Sequence, residues 1–506
     1  MFINHDTYDV LIVGAGPAGL STAISAARTG AHVLVVDRRP STSSLPRATH
    51  VSTRSMEILR SWGLARAVRA GGVPALPAFA TSRTLADAEY SVTPSGLPAF
   101  AEMRRRSPVW PSFTPQDHLE PLLAAHLGDL GGELAFDTEL TDLAIDGAGV
   151  RAARGGGRVV NARFVVGADG PYSIVRRLLG IGVEELGELG EWVQAVVRAD
   201  LSAVIGKRRY VLHVVEHPEA EGILVPVGAG RWAYAQQWYP ERGEHPADWT
   251  QRIVERFRLA AGVPDLPVQV LGVLPFTMAG HIAAAFRAGR GFLVGDAAHR
   301  MTPIGGMGMN VAIHDGHNLG WKLALAARGW AGETLLDSYE QERRPVGLRY
   351  ALRSLRRGEE IADPQAADLG VRYVSAVLPT RRTPGGVVDP GGRAPHAWVE
   401  QRGRRVSTLD LFDGRLTVLT GRRGRAWSRV AARLAATGLP ITVHALGQDL
   451  RDPDGELTDR YALRPAEAVL VRPDGYVAWR GDDAEALPDA VAAALGRLDE
   501  PIQLAG

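Results

Sequence analysis

From Tyr8 to Val13 the chain is continuously apolar, as in a short strand buried on both faces. Small residues from Ser21 to Thr29 follow with helical spacing, and a second apolar run covers Ala31 to Val36. Strand, helix, strand is the building unit of a parallel sheet. Midway along the chain the period changes. Segments 208–217, 222–228 and 231–241 alternate apolar and polar residues, and Val227–Arg231 reads as a hairpin turn, so an antiparallel sheet is expected there. In the third segment Trp232, Tyr234, Gln236 and Trp238 share one face; Arg231, Ala233, Ala235 and Gln237 share the other. The aromatic face either lines a site or packs on the domain's own helices, and the alternation leaves both open. If the alanine face lines the cavity, its small side chains leave room for a large planar ligand. Residues 334–361 are helical and basic, with a break expected at Pro345. A Gly/Pro-rich linker covers 383–395, and strand-like runs near 415–421, 440–447 and 467–481 predict a further α/β module.

Composition narrows the chemistry. The chain has 506 residues and a net charge of +1, which gives no electrostatic case for nucleic acid or an anionic membrane as partner. It has no cysteine, which excludes disulfides, thiolate metal sites and thiol redox chemistry. No metal site is expected. The start runs straight into a strand without a basic leader, and no apolar run reaches membrane-spanning length, so a cytoplasmic protein is expected.

Gly14, Gly16 and Gly19 form GxGxxG between the first strand and helix, with Pro17 and Ala18 inside it and Asp37-Arg38 closing the second strand. The glycines permit a tight turn, a close pyrophosphate and close helix–strand contact, and Asp37 is spaced for a ribose hydroxyl. The motif indicates a dinucleotide and does not separate FAD from NAD. A second glycine-rich stretch lies far downstream: Gly295-Asp296, then Pro303, Gly305, Gly306 and Gly308 ahead of a long helical pattern.

Leu45–Leu59, Val165–Ile181 ("VVGADGPYSIVRRLLGI") and Gly295–Asn310 ("GDAAHRMTPIGGMGMN"), in this order and spacing, resemble the group A flavoprotein monooxygenases, the para-hydroxybenzoate hydroxylase fold. The resemblance covers about 5–360. The tail is similar to the thioredoxin-like domain of the phenol hydroxylase branch, which includes hydroxylases of aromatic polyketides. It implies an α/β fold with a discontinuous Rossmann-like FAD domain (1–75, 105–180 and 285–360), an inserted antiparallel-sheet substrate domain (76–104 and 181–284), a linker or helix (361–384) and a thioredoxin-like C-terminal domain without CxxC (385–506), redox-inert and used for packing or dimerisation. It also implies FAD on both glycine loops. Arg47 would reach the pyrophosphate, where a guanidinium fork suits a diphosphate. Gln116 would lie near the ribityl chain, and Asp169 would serve FAD and NAD(P)H. Gly295 and Asp296 would meet the ribityl chain and pyrophosphate. Pro303, Gly306, Gly308 and the backbone of Met309 and Asn310 would pass beside the flavin ring, where a helix N-terminus stabilises negative charge.

The implied activity is hydroxylation of an aromatic, polycyclic natural product by NADPH or NADH and O2 through a flavin C4a-hydroperoxide, in a monomer or homodimer. Baeyer–Villiger insertion, epoxidation and drug inactivation use the same oxidant, and a FAD-binding protein that inserts no oxygen is the remaining alternative. Here the sequence departs from its relatives. Where they carry an acid shortly after the pyrophosphate arginine, this chain has Thr49 and His50. His50 and Pro303 are the catalytic candidates, and His213, Gln237 and Trp238 the substrate candidates. Ile304 stands where a hydroxyl is common, which suits a hydrophobic substrate.

Overall fold

The computed structural model describes residues 7–147, 149–239, 249–356, 362–379 and 388–497. Residues 383–387 of the expected 383–395 linker lie outside them.

A first sheet is parallel at its centre. Strand Thr7–Val13 lies between Val33–Val36 and Arg158–Gly167, with Gly291–Leu293 and Glu133–Ala135 beyond them. All five strands pair in parallel, and helix Pro17–Arg28 makes the first crossover. The apolar runs on both faces of this sheet are therefore fully covered. A second, eight-stranded sheet joins Leu76–Ser82 and Ser91–Pro94 to the strands between Val183 and Ala283, and ends on His299–Arg300. The strands between Val183 and Ala283 pair antiparallel, Trp192 opposite Gln237 and Phe276, as the alternation indicates, while Leu76–Ser82 joins Tyr210–Val215 in parallel. A four-stranded mixed sheet (Leu416–Thr420, Ile441–Ala445, Ala468–Val471 and Val477–Gly481) forms the core of the C-terminal part.

The expected break at Pro345 does not occur: helix Glu333–Ser354 runs through it. Leu335, Leu336, Tyr339, Arg343 and Val346 are buried along its length, and tertiary packing carries the helix past the lost N–H.

The C-terminal part is not an appended module. Its turn Arg472–Tyr476 enters the space between three N-terminal helices. Arg472 pairs bidentately with Glu342 at 2.6 and 2.8 Å and with Asp474 at 2.5 Å. Lys322 reaches Glu342 at 2.8 Å, Asn318 reaches Glu342 and Asp474, and Arg54 donates to the Asp474 carbonyl. All these side chains are buried. Burial pulls Lys322 down to about 8 against the pull of Glu342. Burial disfavours the Glu342 carboxylate too, but Arg472 and Lys322 outweigh it and hold its pKa well below the ordinary value.

Candidate functional site

Two helix N-termini build the site. Helix Pro17–Arg28 follows Gly16, helix Gly308–Ala327 follows Met307, and neither has a side-chain cap. The helices lie so close that an added Cβ at Gly316 would stand 2.6 Å from the Thr22 nitrogen and 2.7 Å from the Ala18 carbonyl oxygen; at Gly320 it would meet the Thr22 carbonyl. Both contacts advance in the same direction, so the helices run parallel and their N-termini share one end. Gly316 sits beside the first turn of its partner yet eight residues into its own helix. Its contacts, Ala18 to Thr22, lie about three residues into the partner helix, so the second N-terminus projects past the first by the rise of about five residues, roughly 7–8 Å. Gly316 and Gly320 were missed in the sequence, although four-residue glycine spacing on a helix signals close approach. The turn at Gly295 (φ +58°) is wedged between the same helices, its would-be Cβ 2.8 Å from Ala18 and 3.2 Å from Ala312.

The glycines divide by cause. Gly14 (φ +112°) and Gly19 are required by the protein: a Cβ would strike the Ala168 carbonyl in one case and the Gly14 carbonyl in the other. Gly16 meets nothing within 4 Å, and Gly308 meets only the Met301 side chain, at 3.5 Å. Their neighbourhoods are open, next to uncapped N–H groups. Arg47 is exposed and has no hydrogen-bonding partner among the described residues; its charge reaches Asp296, which opens to the same groove. Crowding by the surrounding protein pushes the Asp296 carboxyl up, against the pull of His299, Arg300 and Arg47. A bare guanidinium, two uncapped helix starts staggered by about five residues along one parallel pair, and glycines without a protein reason fit an extended diphosphate-linked dinucleotide.

Other expected residues serve the frame. Asp37 accepts from Ala15 N–H at 2.7 Å and pairs with Arg39 at 2.9 Å. Burial opposes its ionisation, but these contacts win and lower its pKa. Arg38 is exposed, and Arg39 is the arginine drawn onto Asp37. The Gln116 side chain donates to Glu120 at 2.6 Å and its backbone N–H to the Ala48 carbonyl. One Asp169 oxygen accepts from the Ile174 and Val175 N–H groups, and the other is buried with no hydrogen-bond partner among the described residues. Asp315, also unforeseen, accepts from Gly295 N–H, His299 and Arg343 and so fixes the second loop.

The Asn310 side chain is a clamp. It accepts from Ser52 N–H (2.7 Å) and the Ser55 hydroxyl (2.8 Å), and donates to the carbonyls of His50 (2.9 Å) and Gly306 (3.0 Å). It ties the Arg47–Ser52 segment to the Pro303–Gly308 loop, in which Pro303 is exposed and Gly305 and Gly306 have φ +84° and +65°. His50 Nδ1 lies 3.3 Å from the Gly306 carbonyl. A carbonyl only accepts, so Nδ1 carries the proton and Nε2 is left as an acceptor. Burial lowers the His50 pKa below its ordinary 6.5, more than the Gly306 contact raises it.

The second sheet turns its alanine face to this groove. Arg231 bridges to Asp117 at 2.6 Å, Gln194 donates to the Pro46 carbonyl, and Leu45 lies against Gly272. Ala233, Ala235 and Gln237 share that face. The aromatic face is core: Tyr234 meets Phe257 at 5.8 Å, and Gln236 accepts from Arg256, both on helix Trp249–Ala261. His213 and Trp238 are therefore corrected. His213 lies on the helix-covered face between Tyr210 and Trp232, and burial with Arg208 pushes it down to about 4. The Trp238 ring stands edge-on to Trp249 at 4.8 Å. Of the substrate candidates, only Gln237 faces the groove.

Fold and site together define a flavoprotein with a ligand groove over its dinucleotide loops. The family described as FAD binding domain matches residues 7–354, and the one described as aromatic-ring hydroxylase, C-terminal, matches residues 388–498. Aklavinone 12-hydroxylase of Streptomyces purpurascens is 38% identical over 96% of this chain and 97% of its own. Tetracenomycin B2 monooxygenase-dioxygenase of Streptomyces olivaceus is 36% identical over 95% and 96%. The crystal structure of aklavinone-11 hydroxylase with FAD and aklavinone superposes with a TM-score of 0.87 at 35% identity, covering 98% of this chain and 100% of that one. The chain belongs to the FAD-dependent aromatic-ring hydroxylases, and it is a flavoprotein monooxygenase. Among the described residues no helix is long and apolar enough to cross a membrane.

Arg47→Ala is expected to weaken FAD binding by about 1.5–3 kcal/mol, the worth of charge-assisted hydrogen bonds. Titrating FAD into apoprotein measures this, and an unchanged Kd removes Arg47 from the cofactor site.

Proposed function

We propose that the protein hydroxylates a planar polycyclic aromatic natural product, using NADPH or NADH and O2. The observation that carries this reading is that the alanine-bearing face of the second sheet abuts Leu45 and Pro46, in the segment that leads to Arg47 and to His50 at the Gly306 turn. A flat fused-ring substrate fits against small side chains, and relatives named for aklavinone and tetracenomycin support that class. Bound FAD supplies the activation of oxygen. The protein's own residues bind, orient and manage protons. Arg47 and the N–H groups after Gly16 would hold the diphosphate. The N–H groups of the first turn after Met307 would stabilise the negative charge that a reduced flavin carries. His50 Nε2, free and neutral near pH 7, accepts the proton of a substrate phenol and raises electron density at the carbon to be attacked. Gln237 offers an amide to a substrate oxygen.

The test is incubation with NADPH, labelled O2 and aklavinone. One labelled oxygen in a ring hydroxyl is expected. Oxygen inserted between carbons indicates Baeyer–Villiger chemistry, and NADPH oxidation without labelled product indicates a binding protein. The acid limb of the rate profile should fall below pH 6.5, since burial lowers the His50 pKa. His50→Gln should reduce turnover by about 10²-fold or more and remove that limb. A limb that survives the substitution takes the proton-acceptor role from His50.

A further inference from the structure

Helix Phe100–Arg106 has no buried side chain, so no core holds it. A surface ladder does. The Phe100 and Trp110 rings meet edge to face with centroids 5.0 Å apart. Arg69 lies over the Trp110 ring at 4.4 Å and Arg104 over the Phe100 ring at 5.9 Å. The order is cation, ring, ring, cation. Phe100 is nevertheless 50% exposed and Trp110 37%, so two large aromatic side chains, already fixed in orientation by their neighbours, still offer ring surface to a further partner.

The position of the ladder says what that partner is. Trp110 stands three residues before Phe113, about 10 Å of extended chain. Phe113 pairs with His50 in a two-stranded ladder, and its ring lies 5.8 Å from the His50 ring. On its other side the helix is tied to the segment after residue 361: Arg106 pairs with Asp363, and Gln365 reaches the Met103 carbonyl at 3.5 Å. That segment's Asp368 accepts from Arg54 N–H at 2.8 Å, in the helix that follows His50. The ladder is thus the outward continuation of the wall that carries His50.

We propose that Phe100 and Trp110 form an outer subsite that holds the distal ring of a fused polycyclic substrate while its reacting ring lies at His50. This rests on the hydroxylase reading above. Ring faces accept a planar distal ring by stacking, and Arg69 and Arg104 suit an ionised phenol or an electron-rich quinone oxygen. A system of three or four fused rings is comparable in length to the roughly 10 Å of extended chain from Trp110 to Phe113, and a single ring is shorter.

The test compares two probes on the FAD-loaded protein, 1,8-dihydroxyanthraquinone and phenol, with binding read from the flavin difference spectrum. Phe100→Leu with Trp110→Leu should weaken the anthraquinone by about 3- to 10-fold per ring removed. Phenol affinity, FAD content and melting should not move. Should the double variant lose FAD or fold poorly, Arg104→Gln, on an exposed side chain, decides the matter by weakening the ionised anthraquinone alone. Unchanged anthraquinone binding, or equal losses for both probes, overturns the subsite. If neither probe perturbs the flavin of the unmodified protein, the polycyclic-substrate reading itself falls, and the subsite with it.

Discussion

Arg472→Ala is expected to lower stability by about 3–5 kcal/mol, the cost of breaking a buried ion pair by removing one partner. The reason is local. Arg472 is fully buried and satisfies both oxygens of Glu342 as well as Asp474. Without it, Lys322 is the one cation left paired with two buried carboxylates, beside neutral donors from Asn318, Ser375 and the Tyr476 N–H. Trp321 and Tyr373, within 5.2 and 5.6 Å of Arg472, would each lose the nearer of two cations. Arg472→Lys keeps the charge and loses the planar fork, and should fall between. Denaturant midpoints on the FAD-loaded protein measure the effect. Because the Arg54 helix leans on the Asp474 carbonyl and begins beside the Asn310 clamp, flavin release should accompany the early transition. A midpoint within about 0.5 kcal/mol of the parent, the range of ordinary surface substitutions, would show that the C-terminal turn does not brace the flavin domain.

The same cluster marks the limit of sequence reasoning. The strand–glycine–helix pattern of residues 8–36 was legible because its period and glycine spacing are local signals. The antiparallel sheet was legible for the same reason. The absence of cysteine excluded thiol chemistry in the C-terminal part, but it could not reveal that Arg472 pairs with Glu342 and Asp474 with Asn318 at long range. Nor could alternation say which face of Trp232–Trp238 meets the groove; that is settled by helix Trp249–Ala261, which covers the aromatic face. His213 looked available because a strand places every second residue on a face without naming the face. Asn310 was expected to act through its backbone, and its side chain proves to be the piece that joins the two halves of the site. Pro345 misled because local propensity there yields to a buried helix on both sides.

The glycines allow the most direct trial of the site. Gly16→Val and Gly308→Val should yield folded protein that has lost FAD, whereas Gly316→Val should fail at folding. At Gly16 nothing lies within 4 Å of an added Cβ, and at Gly308 only the end of the Met301 side chain is near. Neither has a positive φ, so a valine there strains neither backbone nor core. Each would project its branched side chain beside an uncapped helix start, where a bound dinucleotide must approach the N–H groups. At Gly316 the added atom meets the Thr22 nitrogen and the Ala18 carbonyl, backbone atoms that cannot swing aside. The helices would have to part, which overpacking data put at about 1–3 kcal/mol or more, and the stagger of their N-termini would be lost with them. Flavin absorbance per chain after purification, with melting followed by circular dichroism, separates the two outcomes. A Gly16→Val protein that keeps its melting temperature and full FAD occupancy would mean that the open space beside the first helix is not where the diphosphate lies. The same result for Gly308→Val would remove the second helix start from the flavin.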